Sequence, residues 1–260
     1  MLLEDKTAII YGGGGGIGGG VARTFAREGA AVFLAGRTRE PMEAVAAAIV
    51  AAGGSAEVAV LDATDERAVD ANVEAVAARA GRLDVSFNLI SRGDVQRTPL
   101  IEMTTDDLLR AVVTGLRSSF VTARAAARRM IGQGSGVILH VNSASGAGAM
   151  PGMGSTGPAD AATEAFMRYL AAEVGPQGVR VLGIHTAGVV ETLTQAGLDE
   201  VGGEGTPDPA TVEQMIAAAS MLRRAPRLAQ VADVAAFLAS DRAAGMTATM
   251  ANVTSGLVPG

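Results

Sequence analysis

Residues 11–20 read YGGGGGIGGG, eight glycines in ten positions, with Ile17 the only interruption after Tyr11. Glycine loses more backbone freedom on folding than any other residue, so such a run marks a place where side chains must be absent. Upstream, the apolar run Thr7–Tyr11 reads as a strand; downstream, Ile17–Glu28 reads as a helix. In that setting the glycines form a phosphate cradle, with the backbone close to a pyrophosphate and the helix N-terminus offering unpaired N–H groups. Three registers fit: Gly13, Gly15 and Gly18; Gly14, Gly16 and Gly19; or the looser Gly12, Gly16 and Gly18. A flexible turn without a ligand is the competing reading.

The same alternation continues outward. Strands are expected at 31–35, 56–61, 85–90, 137–141, 179–184 and 250–253. Helices are expected at 41–52, 66–80, 105–131, 159–174 and 231–240, with Gly53, Gly81 and Gly132 as stops. Strands that alternate with helices and are apolar on both faces imply a parallel sheet covered on both sides. The expected fold is α/β, a three-layer αβα Rossmann fold with a doubly wound, seven-stranded parallel sheet. No linker divides the chain, so 1–260 reads as one domain. The rhythm breaks at 189–226, rich in Gly and Pro, which reads as an irregular substrate loop or lid.

Of the 260 residues, 48% are hydrophobic and 18% charged, enough for a substantial core. A net charge of −6 provides no broad basic face for nucleic acid. The absence of cysteine excludes disulfides, and His140 and His185 are too few for a typical zinc site. The acidic start, with Glu4 and Asp5, and the lack of a long apolar run lead to the expectation of a cytoplasmic protein without a membrane anchor.

A dinucleotide fold usually carries an acid about 20 residues past the loop for the ribose hydroxyls. Here the second strand ends in Ala35-Gly36-Arg37. A guanidinium suits a 2′-phosphate, which favours NADP(H) over NAD(H); a solvated loop charge is the alternative. Asp62 ends the third strand, either as an acceptor for the adenine amino group or as a helix cap.

With "LDATDE", "LDVSFNLIS", "GSGVILHVNSASG", "PGMGSTGPADAATEAFMRYLAAEVGPQGVRV" and "GVVET" added to the glycine loop, the chain resembles a short-chain dehydrogenase/reductase over almost its whole length. The resemblance implies a nicotinamide cofactor and carbonyl/alcohol hydride transfer. Its cofactor-binding set falls on Gly12, Gly14, Gly15, Gly16, Ile17, Gly18, Arg37, Asp62, Ala63 and Asn88. It also implies a Ser, a Tyr-x-x-x-Lys pair and a helix Asn as the catalytic group. Ser143 holds the serine position, but Thr156 stands at the tyrosine, Asp160 at the lysine and Gly115 at the asparagine.

These replacements matter physically. A threonine hydroxyl is a far weaker acid than a phenol, and Asp160 reverses the charge that assists it. Two unit charges about 4 Å apart interact by roughly 4 kcal/mol at an effective dielectric of 20. Repulsion in place of attraction disables the family's usual relay by orders of magnitude in rate. Tyr11 lies in the loop and Tyr169 roughly 20 Å along the helix from Thr156. His185 could supply an acid or base, or simply be a bonded strand-end histidine. Asp160 reads either as a base or as a helix N-terminal carboxylate. Ser143 and Thr156 have purely local hydrogen-bonding alternatives. Arg92 and Arg97, near the mouth, read as receivers of an anionic ligand or as solvated charges.

Three functions stay open: an NADP(H) oxidoreductase with an altered mechanism, a nucleotide-binding pseudoenzyme, and a non-redox acid–base enzyme using Asp160. If active, the protein takes a small-molecule substrate. Alanine-rich helices after the fourth and fifth strands point to a homotetramer or dimer, or to close internal packing.

Overall fold

The computed structural model describes residues 1–146 and 148–259. Strands β1 (Thr7–Tyr11), β2 (Ala31–Gly36), β3 (Ser55–Val60), β4 (Val85–Asn88), β5 (Gly136–Ser143), β6 (Val179–Thr186) and β7 (Thr249–Val253) form one sheet in the order β3-β2-β1-β4-β5-β6-β7. Every neighbouring pair is parallel. The order reverses between β1 and β4, and the crevice at the carboxyl ends of these two strands is where ligands sit in such sheets.

Alternation along the strands divides the core into two layers. Ala8 and Ile10 of β1 pack on α1 (Gly16–Arg27), α2 (Arg39–Ala51) and α8 (Leu228–Ala239). Ile9 and Tyr11 face α3 (Glu66–Ala80), α4 (Thr105–Gln133) and α5 (Thr156–Val174). Phe25, Phe87, Leu34, Ile138 and Leu139 are fully buried or nearly so, each worth roughly 1.5–3 kcal/mol relative to exposure. Local chemistry sets the helix ends. Asp65 accepts from the Arg67 and Ala68 N–H groups to start α3, and left-handed Gly81 ends it. Thr104 starts α4 and left-handed Gly134 ends it.

The expected strands and helices are present, with four differences, the first being that α4 runs through Gly132, the expected stop, and ends only at left-handed Gly134. Segment 189–226 is not irregular: it holds α6 (Gln195–Gly202) and α7 (Pro209–Ala219), capped by Thr194 and Asp208. Gly202, Gly203, Gly205 and Pro207 lie at the end of α6 and between the two helices, not through the segment. Helix α5 begins at Thr156, because Pro158 is accommodated in the first turn, where its missing N–H costs nothing. Strand β4 stops at Asn88, where the chain turns toward α5.

Candidate active site

The glycine loop is held by close backbone approach. Gly12 has φ +79°, and a Cβ there would lie 2.5 Å from the Leu89 carbonyl oxygen, across the β1/β4 crevice. A Cβ on Gly18 would lie 2.2 Å from the Gly12 oxygen. Other glycines serve packing: Gly20 against Leu228, Gly13 against Leu34, and Gly16 against the Thr192 methyl group. Gly15 is the N-cap of α1 and has no side chain to cap it, while a Cβ there would meet only the Gly12 oxygen, at 3.3 Å. No side chain caps the first turn of α1, whose leading N–H groups have no intrahelical partner, which fits a pyrophosphate.

At the far end of this crevice, Arg37 is exposed and makes no ion pair among the described residues. Asp62 accepts from both the Thr64 N–H and hydroxyl at 2.8 Å, and these bonds hold its carboxyl below the usual range. It is thus a turn residue, and the helix cap beside it is Asp65. Ala63 is buried. The Asn88 amide donates to the Ser118 hydroxyl at 3.2 Å and accepts from the Ile90 N–H.

A second constellation lies at the carboxyl ends of β4 and β5. Ser143 Oγ donates to Asp160 Oδ2 at 2.5 Å. Asp160 Oδ1 takes Arg92 Nη1 at 2.7 Å, while Arg92 Nη2 and Nε donate to Asp94 at 2.8 and 3.2 Å. Asp160 is fully buried and the Arg92 side chain is 15% exposed. The Arg92 stem passes α4 at Gly115, where a Cβ would meet its Cδ at 2.6 Å. Thr156 accepts from the Gln96 amide at 3.1 Å. The 92–96 segment is itself pinned to the start of α5: the Val95 N–H donates to Ser155 Oγ, and the Ser155 N–H to the Val95 carbonyl.

A family model described as enoyl-(acyl carrier protein) reductase matches residues 13–258. Oxidoreductase asL5 of Sarocladium schorii is 31% identical over 98% of this chain and 96% of its own. Cis-4-hydroxycyclohexanecarboxylate dehydrogenase of Sinomonas cyclohexanicum is 32% identical over 98% and 97%. Among solved structures, an NAD+-bound xylitol dehydrogenase superposes with a TM-score of 0.87 at 27% identity, over 98% of this chain and 100% of that one. A short-chain dehydrogenase/reductase from Mycobacterium ulcerans gives the same TM-score at 27% identity, over 99% and 91%.

The chain belongs to the short-chain dehydrogenase/reductase family. Members of this family of oxidoreductases bind a nicotinamide cofactor, and the glycine cradle of this short-chain dehydrogenase/reductase has the geometry to hold its pyrophosphate. Of the two readings of Asp160, the helix N-terminal carboxylate is corrected: the group is fully buried and bonds Ser143 and Arg92. The expected uncompensated repulsion is corrected too, because Arg92 brings a positive charge that the motif positions alone do not contain. Burial pushes the Asp160 carboxyl up to about 6, with Arg92 and Ser143 pulling the other way. Arg92 is committed to this pair of carboxylates rather than open to an anionic ligand. Arg97 reaches the Thr206 hydroxyl at 2.9 Å and so ties this segment to the α6–α7 region.

His185 lies within β6, not after it, and bonds Glu164 Oε1 at 2.8 Å. Asn142 spans the Asp160 carbonyl and Glu164. Sequence reasoning passed over Asp94, Asn142 and Glu164; an acid in the α5 stripe 160–164–167–171, otherwise apolar past Asp160, was the available signal. Tyr11 is fully buried with its hydroxyl unpartnered, and burial pushes it far up, so it supplies no proton. Tyr169 is 75% exposed on the outer face of α5. Met215, Met221 and Leu222 of segment 189–226 are exposed. Among the described residues no helix is long and apolar enough to cross a membrane.

Proposed function

We propose that this protein transfers hydride between NADP(H) and a small carbonyl/alcohol substrate, with Ser143 and Asp160 as the proton relay in place of a tyrosine–lysine pair. The observation that carries this reading is the 2.5 Å Ser143–Asp160 hydrogen bond beside Arg92. The cofactor supplies or accepts the hydride. In the oxidising direction, Ser143 takes the substrate hydroxyl proton as it passes its own to the Asp160 carboxylate. In reduction the protonated carboxyl of Asp160 reprotonates Ser143, which donates to the carbonyl oxygen. A carboxyl near pH 6 serves both directions close to neutrality. Thr156, tied to Gln96, orients that segment and moves no proton.

Arg37, exposed and without an ion-pair partner among the described residues, supports NADP(H) through the 2′-phosphate. Segment 189–226 acts as the substrate lid. The exposed α4 stripe Leu109, Val113, Leu116 and Phe120, at helical spacing, supports a homodimer or tetramer through α4 and α5. A single-domain, cytoplasmic oligomer is the form we envisage.

One observation favours a second reading. Ser143, Thr156, Asp160 and Arg92 satisfy one another, as in a site that binds nucleotide without turnover. Fluorescence titration with NADPH and NADH, followed by turnover on a panel of aldehydes, ketones and secondary alcohols, separates the two. Turnover lost in Ser143→Ala and in Asp160→Asn, with NADPH affinity retained, is the expected result. Tight NADPH binding with no turnover across the panel would replace the relay with the binding role.

A further inference from the structure

We propose that Arg92 is the positioning residue for Asp160, and that Gly115 is the opening through which its side chain reaches that carboxylate. As a statement about catalysis this rests on the Ser143–Asp160 relay proposed above. The arrangement itself is visible without it.

Arg92 and Asp160 are 68 residues apart and meet only because the 92–96 segment is bonded to the N-terminus of α5. The guanidinium works on two edges: Nε and Nη2 grip both oxygens of Asp94, and Nη1 reaches Asp160. The Asp94 grip fixes the plane of the fork, and the fork then fixes Asp160 Oδ1, leaving Oδ2 on Ser143. A lysine ammonium cannot hold two carboxylates in such a fixed plane. On the other side of the stem, any side chain at position 115 would occupy the volume of Arg92 Cδ and Cγ, 2.6 and 3.4 Å from an ideal Cβ. Gly115 lies mid-helix, where glycine is otherwise unfavourable, and its φ is not left-handed. The passage of Arg92 therefore accounts for the missing side chain. Around Asp160 the loop contributes Arg92 and Asp94, β5 contributes Ser143 and Asn142 with His140 beyond, and β6 contributes His185 through Glu164 of α5 itself. Arg92 is the cation in contact with the carboxylate; α4 adds Gly115 and no charge at that contact.

The test needs neither substrate nor cofactor. Carboxyl carbon-13 NMR of aspartate-labelled protein, assigned with Asp160→Asn, follows the Asp160 titration. Arg92→Gln is expected to raise its midpoint by about one to three pH units, and Arg92→Lys to recover part of the shift. Gly115→Val is expected to raise it likewise while altering neither charged residue. An unmoved midpoint in folded Arg92→Gln or Gly115→Val overturns the proposal. Should Arg92→Gln not fold, urea denaturation of the Arg92→Lys and Asp160→Asn singles and their double variant decides. Coupling between the two sites supports the proposal, and simple additivity overturns it. Inactivity across the substrate panel, with the midpoint shifts intact, removes the relay and leaves the Arg92–Gly115 arrangement standing.

Discussion

Two corners of the same sheet edge are built on different physics. The glycine corner, at the end of β1, is held by backbone: Gly12 against the Leu89 carbonyl, Gly18 against the Gly12 carbonyl. The Ser143–Asp160 corner, at the ends of β4 and β5, is held by charged side chains from the 92–96 segment and α5. Backbone contacts tolerate no substitution but do not respond to pH. Charge contacts can be rebuilt with other residues, and they titrate. The contrast sets apart a corner fixed by backbone approach from one fixed by Arg92, Asp160 and the gap at Gly115.

The largest expected effect breaks the charged corner. Arg92→Ala strands a fully buried carboxylate and is expected to cost about 3–5 kcal/mol at pH 7 in urea denaturation. The loss shrinks at pH 5, where Asp160 is protonated. An equal loss at both values would mean that Arg92 contributes packing rather than charge. Next comes the backbone corner. Gly18→Ala forces a Cβ onto the Gly12 oxygen and is expected to cost about 3 kcal/mol, the same at pH 5 and pH 7. Gly15→Ala, with space for its Cβ, should melt within a few degrees of the parent. If Gly15→Ala proved the more damaging to stability, the assignment of the tight contacts would be wrong.

The pH dependence of stability sharpens the same contrast. Asp160 is raised from 3.8 to about 6 on folding. Between those values the folded chain keeps a proton that the unfolded chain has lost, so stability falls as pH rises from about 4 to about 6. The fall is at most roughly 3 kcal/mol at 1.36 kcal/mol per unit. Asp160→Asn should remove this contribution from a plot of unfolding free energy against pH, and an unchanged slope would assign it elsewhere. The smallest effect concerns the ligand. Arg37→Ala is expected to weaken NADPH by about 1.5–3 kcal/mol, the worth of a charge-assisted hydrogen bond, and to leave NADH unchanged. Equal titrations for both nucleotides would dismiss the 2′-phosphate contact.

Much of the fold was legible because its signals are local. The run at 11–20, the alternation of apolar strands with helices, and the glycine stops at Gly53 and Gly81 each act within a few residues. Segment 189–226 was misread as irregular because glycines between two short helices look, in sequence, like glycines throughout a loop. At the site, Ser143, Thr156, Asp160 and Gly115 could be singled out only through the resemblance to the family, and their contacts could not be read at all. Arg92 was visible as a charge after β4, but nothing local says that it turns inward. Asp62 looked equally like a ligand acceptor and a cap, and the structure gives the cap to Asp65 instead.

The amino-acid sequence by itself determined the layered α/β architecture, the strand-to-helix glycine turn and a hydroxyl at position 156 followed by a carboxylate at position 160. Those features depend on periodicity, capping and residue type, all of which act over short stretches of chain. Only the tertiary structure decided that the carboxylate has a cation. Arg92, Gly115 and Asp160 come from three elements far apart in the chain, and an ion pair depends on distances that no spacing along the chain encodes.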